Sequence, residues 1–128
     1  MKIEHIALAS NSELESDNFF IDLLGLEKIR NFTVSNDKMR AFFSVDDAYN
    51  FIRYEKDELS VEVIITKKKE KVKDRFTHFC IIVEDGIKLL EKAEAMGYKT
   101  IKVPRDKDNG YYLSLKDSFG NLFEIKES

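Results

Sequence analysis

The chain is poor in the residues that build disulfide frameworks and cysteine metal clusters. It has one cysteine, Cys80, among 128 residues, so an internal disulfide and a cysteine zinc site are both excluded. It has one proline, no tryptophan and two histidines, His5 and His78. Any site that uses imidazole must therefore draw on these two residues.

The chain also lacks an excess of positive charge and a long apolar run. Lysine and arginine number 21 against 24 acidic residues, a net charge of -3, so no basic face for nucleic acid is indicated. No stretch reaches the roughly 18 apolar residues that span a membrane. Glu4 and His5 interrupt the N-terminal apolar run, which is unlike a signal peptide. We expect a cytoplasmic protein that binds neither nucleic acid nor membrane.

One run, "TKKKEKVKD" at 66-74, is strongly charged and has two interpretations. It could contact a phosphate or another anionic ligand, or it could be a solvated linker. Because Glu70 and Asp74 are mixed with the lysines, the linker interpretation is favoured. We therefore predict a charged linker at 67-74 that joins two modules, about 1-66 and 75-128, of a single domain at 1-128.

The two modules repeat one pattern. "IEHIALASNSELESDNFFIDLLGLEKI" and "FTHFCIIVEDGIKLLEKAEAMGYKTI" each contain a strand with one histidine, an amphipathic helix, a glycine and another strand. The histidine precedes the glycine by 20 residues in the first module and by 19 in the second. We predict helices that begin after the N-caps Ser12 and Asp85 and end at Gly25 and Gly97. In the first helix Leu14 belongs to the predicted apolar stripe, with Phe20, Leu23 and Leu24.

Three extended segments follow each helix. They are predicted at 27-34, 49-56 and 59-66 in the first module, and at 98-103, 110-116 and 121-126 in the second. The segment "NDKMRAFFSVDD" is predicted to be a loop or a short helix. The order of elements is therefore βαβββ, twice, which indicates an α+β fold.

Strand alternation separates a helix-packing face from a face that carries polar residues. On the second face lie His5 and Glu62 in the first module, and His78 and Glu124 in the second. Taken singly, a strand histidine is more often structural, and Glu62 is more often a solvated glutamate. Four such residues in repeat-related positions instead indicate a divalent first-row metal such as Zn, Ni, Co, Mn or Fe.

These features resemble the glyoxalase/bleomycin resistance/dioxygenase (vicinal oxygen chelate) superfamily. The resemblance covers nearly the whole chain and is carried by "EHIALAS", "FFIDLLGLEKI", "SVEVII", "THFCIIVEDGIKLLEKAEAMGYK" and "DSFGNLFEIKE". It implies two βαβββ modules that form an open, cup-shaped half-barrel around one metal ion. The implied metal ligands are His5, Glu62, His78 and Glu124, a set similar to that of short bacterial glyoxalase I enzymes.

The resemblance also implies a chemistry. In glyoxalase I a metal stabilises the enediolate formed from a hemithioacetal, while a carboxylate moves a proton between neighbouring carbons. Glu124 is the first candidate for this base and Glu62 the second. Glyoxalase I enzymes typically carry an arginine on the first strand where this chain has Ala9. The chain offers three arginines as replacements: Arg30, Arg40 and Arg53.

Two further questions stay open in the sequence. Four aromatic residues could line the cup or belong to the core: Phe42, Phe43, Tyr111 and Tyr112. For function, the first hypothesis is a metal-dependent lyase or isomerase that acts on a small 2-oxoaldehyde-derived hemithioacetal or related carbonyl compound. The alternatives are a sequestering protein of the bleomycin-resistance type and an acyl-CoA epimerase. The superfamily further implies a small-molecule substrate and a homodimer.

Overall fold

The chain divides into two compact units, Met1–Glu70 and Lys71–Ser128. We describe residues 1–67, 69–71 and 74–128 from a computed structural model. Of the predicted linker 67-74, residues 68, 72 and 73 lie outside the described residues, and its other members are exposed. The assignment of both units to one domain stays a prediction.

The first unit is built on a four-stranded mixed sheet. Its elements are β1 (Ile6–Ser10), α1 (Glu13–Asp17), a π-helix (Asn18–Leu23), β2 (Glu27–Val34), α2 (Asn36–Phe43), β3 (Tyr49–Lys56) and β4 (Leu59–Ile65). The strand order is β1-β4-β3-β2, with β1 parallel to β4 and the other pairs antiparallel. The predicted strands at 27-34 and 49-56 are confirmed, and α2 shows that the intervening segment is a helix.

The first helical segment begins as predicted and then changes its winding. The Ser12 hydroxyl accepts a hydrogen bond from the Glu15 amide at 3.1 Å, which is the predicted N-cap. After α1 the chain widens into the π-helix, and Leu14, six residues before Phe20, lies on a different face at 3.6 residues per turn. Phe20 is buried, but Leu14 is 69% exposed, so the assignment of Leu14 to the buried stripe was wrong.

The second unit repeats the topology of the first. Its elements are β5 (His78–Val83), α3 (Gly86–Ala95), β6 (Thr100–Pro104), β7 (Tyr111–Lys116) and β8 (Leu122–Glu127). The strand order is β5-β8-β7-β6, with β5 parallel to β8. The predicted N-cap Asp85 accepts from the Lys88 amide at 3.0 Å. The internal repeat is therefore a structural repeat, and the α+β fold of two βαβββ modules is confirmed.

Each sheet packs its helical segment against one face. In the first unit Phe20 of the π-helix stacks on Tyr54 of β3, with ring centroids 5.1 Å apart, and both side chains are buried. In the second unit Leu90 and Ala93 of α3 are buried on the side of β7 and β8. Burial of one such large apolar side chain contributes about 1.5–3 kcal/mol. The opposite face of each sheet is thus left to carry polar residues.

Among the described residues, no helix is long and apolar enough to cross a membrane.

Candidate metal centre

The first unit brings His5 and Glu62 together. His5 directly precedes β1, and Glu62 lies on the neighbouring parallel strand β4, opposite Ala7. The His5 Nε2 atom is 3.7 Å from Glu62 Oε1, and the side chains are 32% and 13% exposed. Strand alternation placed both residues on one face, and their proximity agrees with that placement.

The second unit brings His78 and Glu124 together in the same way. Glu124 on β8 lies opposite Cys80, two residues after His78, as Glu62 lies opposite the residue two after His5. The His78 Nε2 atom is 3.4 Å from Glu124 Oε2. Equivalent registers in the two sheets therefore produce two equivalent imidazole–carboxylate pairs.

The outer nitrogen of each histidine contacts an oxygen. His78 Nδ1 is 2.8 Å from the backbone carbonyl oxygen of Phe76. Because a carbonyl oxygen can only accept, Nδ1 carries a proton, so Nε2 is the ring atom that faces Glu124 and could bind a metal ion there. His5 Nδ1 contacts Glu4 Oε2, which leaves the Nε2 of His5 turned to Glu62 in the same sense.

This arrangement fits a cation. A neutral Nε2 lone pair that faces a carboxylate oxygen leaves two electron-rich atoms opposed, so a proton or a metal ion between them is favoured. Two ligands about 2.0–2.1 Å from a shared tetrahedral ion lie about 3.3 Å apart, close to the separation in each pair. Outer hydrogen bonds on Nδ1 are also typical of metal-binding histidines. Across the described residues no three His, Cys, Asp or Glu side chains form a metal-binding group, so the predicted ligands occur as two pairs.

Arg53, one of the three arginines that the sequence offered as replacements, is a member of the first-unit cluster. It lies on β3 directly opposite Glu62, and its Nη2 donates to Glu62 Oε2 at 2.7 Å. Its Nη1 donates to Glu4 Oε1 at 3.2 Å and lies 3.8 Å from Glu55 Oε2. The sequence feature that could have revealed this contact is the tight turn after Lys56. Pairing of Lys56 with Leu59 sets the register of β3 and β4 and so places Arg53 opposite Glu62.

The electrostatics of this cluster favour a cation. Hydrogen bonding to Glu62 is the main cause that raises the pKa of Arg53, which is 12% exposed. A hydrogen bond from His5 is the main cause that lowers the pKa of Glu4. One guanidinium thus faces three carboxylates, those of Glu4, Glu55 and Glu62, so the cluster keeps a negative charge.

The three candidate arginines have different surroundings. Arg40 pairs with Asp46 at 2.6 Å and is 58% exposed, and the Arg30 guanidinium lies 4.3 Å from the centre of the Phe32 ring. In the part of the chain that the structure describes, Arg53 is the one of the three that contacts Glu62 and His5. Its guanidinium is already engaged by carboxylates, so it is not a free equivalent of the arginine that Ala9 replaces.

The second-unit pair has no such cation. The residue opposite Glu124 on β7 is Ser114, in the place that Arg53 holds in the first unit. Within residues 1–67, 69–71 and 74–128, the Glu124 carboxylate has His78 as an ion-pair partner and no lysine or arginine. The two glutamates are therefore chemically unequal.

The four aromatic residues left open by the sequence are not core residues. Phe42 is 68% exposed and Phe43 48%, and Tyr111 and Tyr112 are 40% and 58% exposed. The Phe43 ring lies 6.4 Å from that of Phe51, which is buried on the face of β3 that also carries Arg53. The exposed aromatic surface at Phe43 thus continues onto the face of β3 that carries Arg53.

A cleft of about 550 Å³ opens beside Glu124 in the second unit. It forms where β7 and β8 separate, because their pairing ends at Leu113 and Ile125 while both strands continue. Its lining includes Arg105, Tyr111, Tyr112, Glu124, Lys126 and Glu127. The cleft therefore combines aromatic surface, two cationic side chains and two carboxylates, one of which is the candidate base.

A buried turn sets the start of β8. The Asp117 carboxylate accepts from the backbone amides of Phe119 at 3.0 Å and Asn121 at 2.8 Å, and from the Asn121 side chain at 2.8 Å. Burial is the main cause that raises the pKa of Asp117, against these hydrogen bonds. The "DSFGN" turn thereby holds the strand that carries Glu124.

The fold defines a class of α+β proteins built from two βαβββ modules, and comparison with known families agrees with this assignment. The family model of the Glyoxalase/Bleomycin resistance protein/Dioxygenase superfamily matches residues 2–125. The chain belongs to this superfamily. No curated protein matches the sequence.

Solved structures share the fold at low sequence identity. A glyoxalase family protein from Bacillus cereus has a TM-score of 0.78 and 11% identity, over 99% of this chain and 93% of that one. A glyoxalase family protein from Enterococcus faecalis has a TM-score of 0.71 and 15% identity, over 97% and 95%. A variant of the fosfomycin resistance protein FosX from Listeria monocytogenes, complexed with Mn(II) and 1S,2S-dihydroxypropylphosphonic acid, has a TM-score of 0.72 and 15% identity, over 98% and 88%.

Proposed function

We propose that the protein is a metal-dependent lyase or isomerase of the glyoxalase I type. Its substrate is a small 2-oxoaldehyde-derived hemithioacetal or a related carbonyl compound, and His5, Glu62, His78 and Glu124 bind one divalent metal ion. The observation that carries the proposal is the double occurrence of one geometry. In each unit a histidine with an engaged Nδ1 turns its Nε2 to a glutamate 3.4–3.7 Å away.

The comparisons support this proposal at the level of the superfamily. Membership places the chain among proteins that act on or bind small molecules, and the FosX neighbour was crystallised with Mn(II). A divalent ion of the series Zn, Ni, Co, Mn or Fe suits two imidazoles and two carboxylates. Because the compared structures are only 11–15% identical to this chain, they support its fold, and the ligand set is argued from the residues of this chain alone.

The proposed chemistry is a proton transfer between neighbouring carbons. A divalent ion held by His5, Glu62, His78 and Glu124 would supply a Lewis acid that stabilises negative charge developing on the substrate oxygens. Glu124 accepts the proton from C1 of the hemithioacetal and returns it to the adjacent carbon, which yields a thioester of a 2-hydroxy acid. No atom enters or leaves the substrate during this isomerisation.

Glu124 is better suited to this transfer than Glu62. Oxygen Oε2 of Glu62 accepts a 2.7 Å hydrogen bond from Arg53, so a proton delivered to that oxygen would have to displace an ion pair. Glu124 has no arginine or lysine partner among the described residues, and it borders the cleft of the second unit. Glu62 then serves to bind the metal, and Glu124 to bind it and move the proton.

The cleft beside Glu124 supplies a place for the substrate. Its volume of about 550 Å³ lies in the range of small-molecule sites. Tyr111 and Tyr112 offer aromatic surface and Lys126 offers positive charge to an anionic end of the substrate, whereas Arg105 is paired with Asp108 at 3.2 Å. These groups would hold the substrate while Glu124 acts on it.

Two other functions use the same residues differently. A sequestering protein of the bleomycin-resistance type would bind a planar or cationic drug against the exposed aromatics, and it needs no complete ligand set. An acyl-CoA epimerase would use the same proton abstraction, but related epimerases often carry glutamine where this chain has Glu62. The complete set of two imidazoles and two carboxylates favours the metal-dependent enzyme.

A substrate panel with one matched pair of variants tests the proposal. Metal-loaded protein is mixed with methylglyoxal and each of glutathione, cysteine and coenzyme A, and thioester formation is followed by absorbance; fosfomycin modification is followed in parallel. We expect turnover of a hemithioacetal, its loss in Glu124→Gln and its retention in Glu91→Gln, a control on the exposed face of α3. Full turnover in Glu124→Gln would rule out Glu124 as the base.

A panel without any turnover, combined with tight drug binding by metal-free protein, would replace the enzyme with the sequestering protein. We further propose that the protein is a cytoplasmic homodimer. Analytical ultracentrifugation checks the dimer, and a sedimenting species of 14.9 kDa, the mass of one chain, would contradict it.

A further inference from the structure

We propose that Arg30 and the aromatic rings beside it form a binding site for an aryl carboxylate in the first unit. The site lies on the polar face, which is the side of the first sheet that carries Glu62 and Arg53. Arg30 binds the carboxylate, and the rings of Phe32 and Phe43 contact the arene. The site needs no metal ion, so metal-free protein tests it separately from the proposed reaction.

A β-bulge in β2 turns the side chain of Arg30 to the polar face. The pairing of β2 with β3 shifts between Lys28 and Arg30, so Ile29 is an extra residue in β2. In a regular strand, residues 28 and 30 would lie on the same side of the sheet. Here Lys28 binds Asp17 on the helix-packing side at 2.9 Å, whereas Arg30 lies opposite Arg53 and shares its side. Bulges often re-aim a side chain next to a functional site, and this one re-aims Arg30.

The positive charge of Arg30 is not neutralised by a carboxylate. Arg30 is exposed and forms no ion pair within residues 1–67, 69–71 and 74–128, whereas Arg40 is paired with Asp46 at 2.6 Å. The Arg30 guanidinium lies 4.3 Å from the centre of the Phe32 ring, a cation–π contact that limits its orientations. A guanidinium held in this way presents a planar fork of donors, which suits the two oxygens of a carboxylate.

Arg53 adds to the positive potential beside Arg30. Its Nη2 and Nη1 atoms donate to Glu62 and Glu4, but its Nε atom is buried and has no hydrogen-bond partner in the described part of the chain. Arg53 is the cross-strand neighbour of Arg30, so an unsatisfied donor and an unpaired guanidinium occupy neighbouring positions. An anion on the exposed member of the two, Arg30, is therefore favoured.

Aromatic rings continue the polar face next to Arg30. Phe32 and Phe51 are cross-strand neighbours with ring centroids 5.5 Å apart, and the Phe43 ring of α2 lies 6.4 Å from that of Phe51. Phe51 is buried, but Phe43 is 48% exposed, so Phe43 offers ring surface to a ligand. Because Phe32 adjoins both the guanidinium and the other rings, one ligand can place an arene on the rings and a carboxylate on Arg30.

Benzoate titrations of the chelator-stripped, full-length chain, followed by NMR, test the site. Benzamide serves as the arene without charge, and acetate serves as the anion without an arene. We expect benzoate to shift the Nε–Hε resonance of Arg30 and the backbone amides of β2, with a dissociation constant of about 1 mM. Benzoate should bind about tenfold more tightly than either control ligand, because each control lacks one of the two contacts.

A matched pair of arginine variants separates the site from general surface charge. Arg30→Gln should weaken benzoate binding about tenfold or more, because the charge-assisted hydrogen bonds to the carboxylate are lost. Arg40→Gln removes an exposed arginine that already has a carboxylate partner, so it should change the affinity by less than about twofold. Phe43→Ala should weaken benzoate binding about threefold and leave acetate binding unchanged. Both arginines are exposed, so both arginine variants should fold.

Equal binding of benzoate and benzamide, or an unchanged benzoate affinity in Arg30→Gln, would overturn the site. Shifts confined to the cleft of the second unit, at Tyr112 and Lys126, would assign the anion to that cleft and would also overturn it. The absence of any shift at about ten times the expected dissociation constant would do the same. A failed benzoate titration leaves Ni²⁺ binding and the substrate panel unaffected, so the two proposals fail separately.

Discussion

The largely shielded ion pair between Arg53 and Glu62 gives the sharpest prediction about stability. Both side chains are only partly accessible, at 12% and 13% exposure, and the Nη2–Oε2 distance is 2.7 Å. Replacement of Arg53 by Met keeps most of the aliphatic stem but leaves the Glu62 carboxylate without its guanidinium. Removal of one partner of a buried pair typically costs about 3–5 kcal/mol, because an uncompensated charge remains inside the protein.

Urea denaturation followed by circular dichroism, in the presence of a chelator, measures this cost. We expect the free energy of unfolding of Arg53→Met to fall by about 3–5 kcal/mol. In a Glu62→Gln background the same replacement should cost about 2 kcal/mol less, because the charge that Arg53 compensates is gone. A loss below about 1 kcal/mol in Arg53→Met, or equal losses in both backgrounds, would show that the pair is solvated and would refute the reasoning.

Three further predictions concern single contacts. Tyr54→Phe removes the 2.7 Å hydrogen bond from a buried hydroxyl to Asp17 and should lower the free energy of unfolding by about 1–2 kcal/mol in urea titrations, and no loss would contradict the bond. Gly97→Ala should cost about 1 kcal/mol in the same assay although open space surrounds the site, because φ is +88° there, and a gain in stability would contradict this reason. Burial raises the pKa of Asp117 above its ordinary 3.8, so its contribution to stability is greatest when it is protonated and declines as pH rises through the folded pKa. Asp117→Asn should lack this decline when unfolding is compared across acidic pH, and parallel pH curves for both proteins would contradict the assignment.

Much of the fold was predictable because its signals are local. Strand alternation placed His5, Glu62, His78 and Glu124 on one face of their sheets, and the registers of the parallel strand pairs agree with that placement. The N-caps lie at Ser12 and Asp85 because their side chains meet amides only three residues away.

The π-helix was not predictable, because the spacing of apolar residues does not reveal whether the backbone forms α-helical or wider π-helical hydrogen bonds. Leu24 donates its amide to the carbonyl oxygen of Phe19 at 3.1 Å, five residues earlier. The exposure of Leu14 has a different reason: it lies six residues before Phe20, and at 3.6 residues per turn that spacing places the two side chains on different faces.

The partners of the first-unit site needed information on register. Arg53 meets Glu62 only because the two-residue connection between β3 and β4 pairs Lys56 with Leu59. The sequence could not tell whether the aromatic residues Phe42 and Tyr112 are exposed or belong to the core, because residue type and position in the chain are the same in both cases. Their exposure follows from the tertiary packing of each unit.

The central claim is that the two imidazole–carboxylate pairs hold a metal ion, and calorimetric titration of untagged, chelator-stripped protein with Ni²⁺ and Zn²⁺ tests it most directly. The account predicts about one ion bound per chain, with proton release and increased stability, and loss of that binding in the protein that carries both His5→Ala and His78→Ala. A wild-type protein that keeps its full stability in chelator and shows no binding of either ion would contradict it.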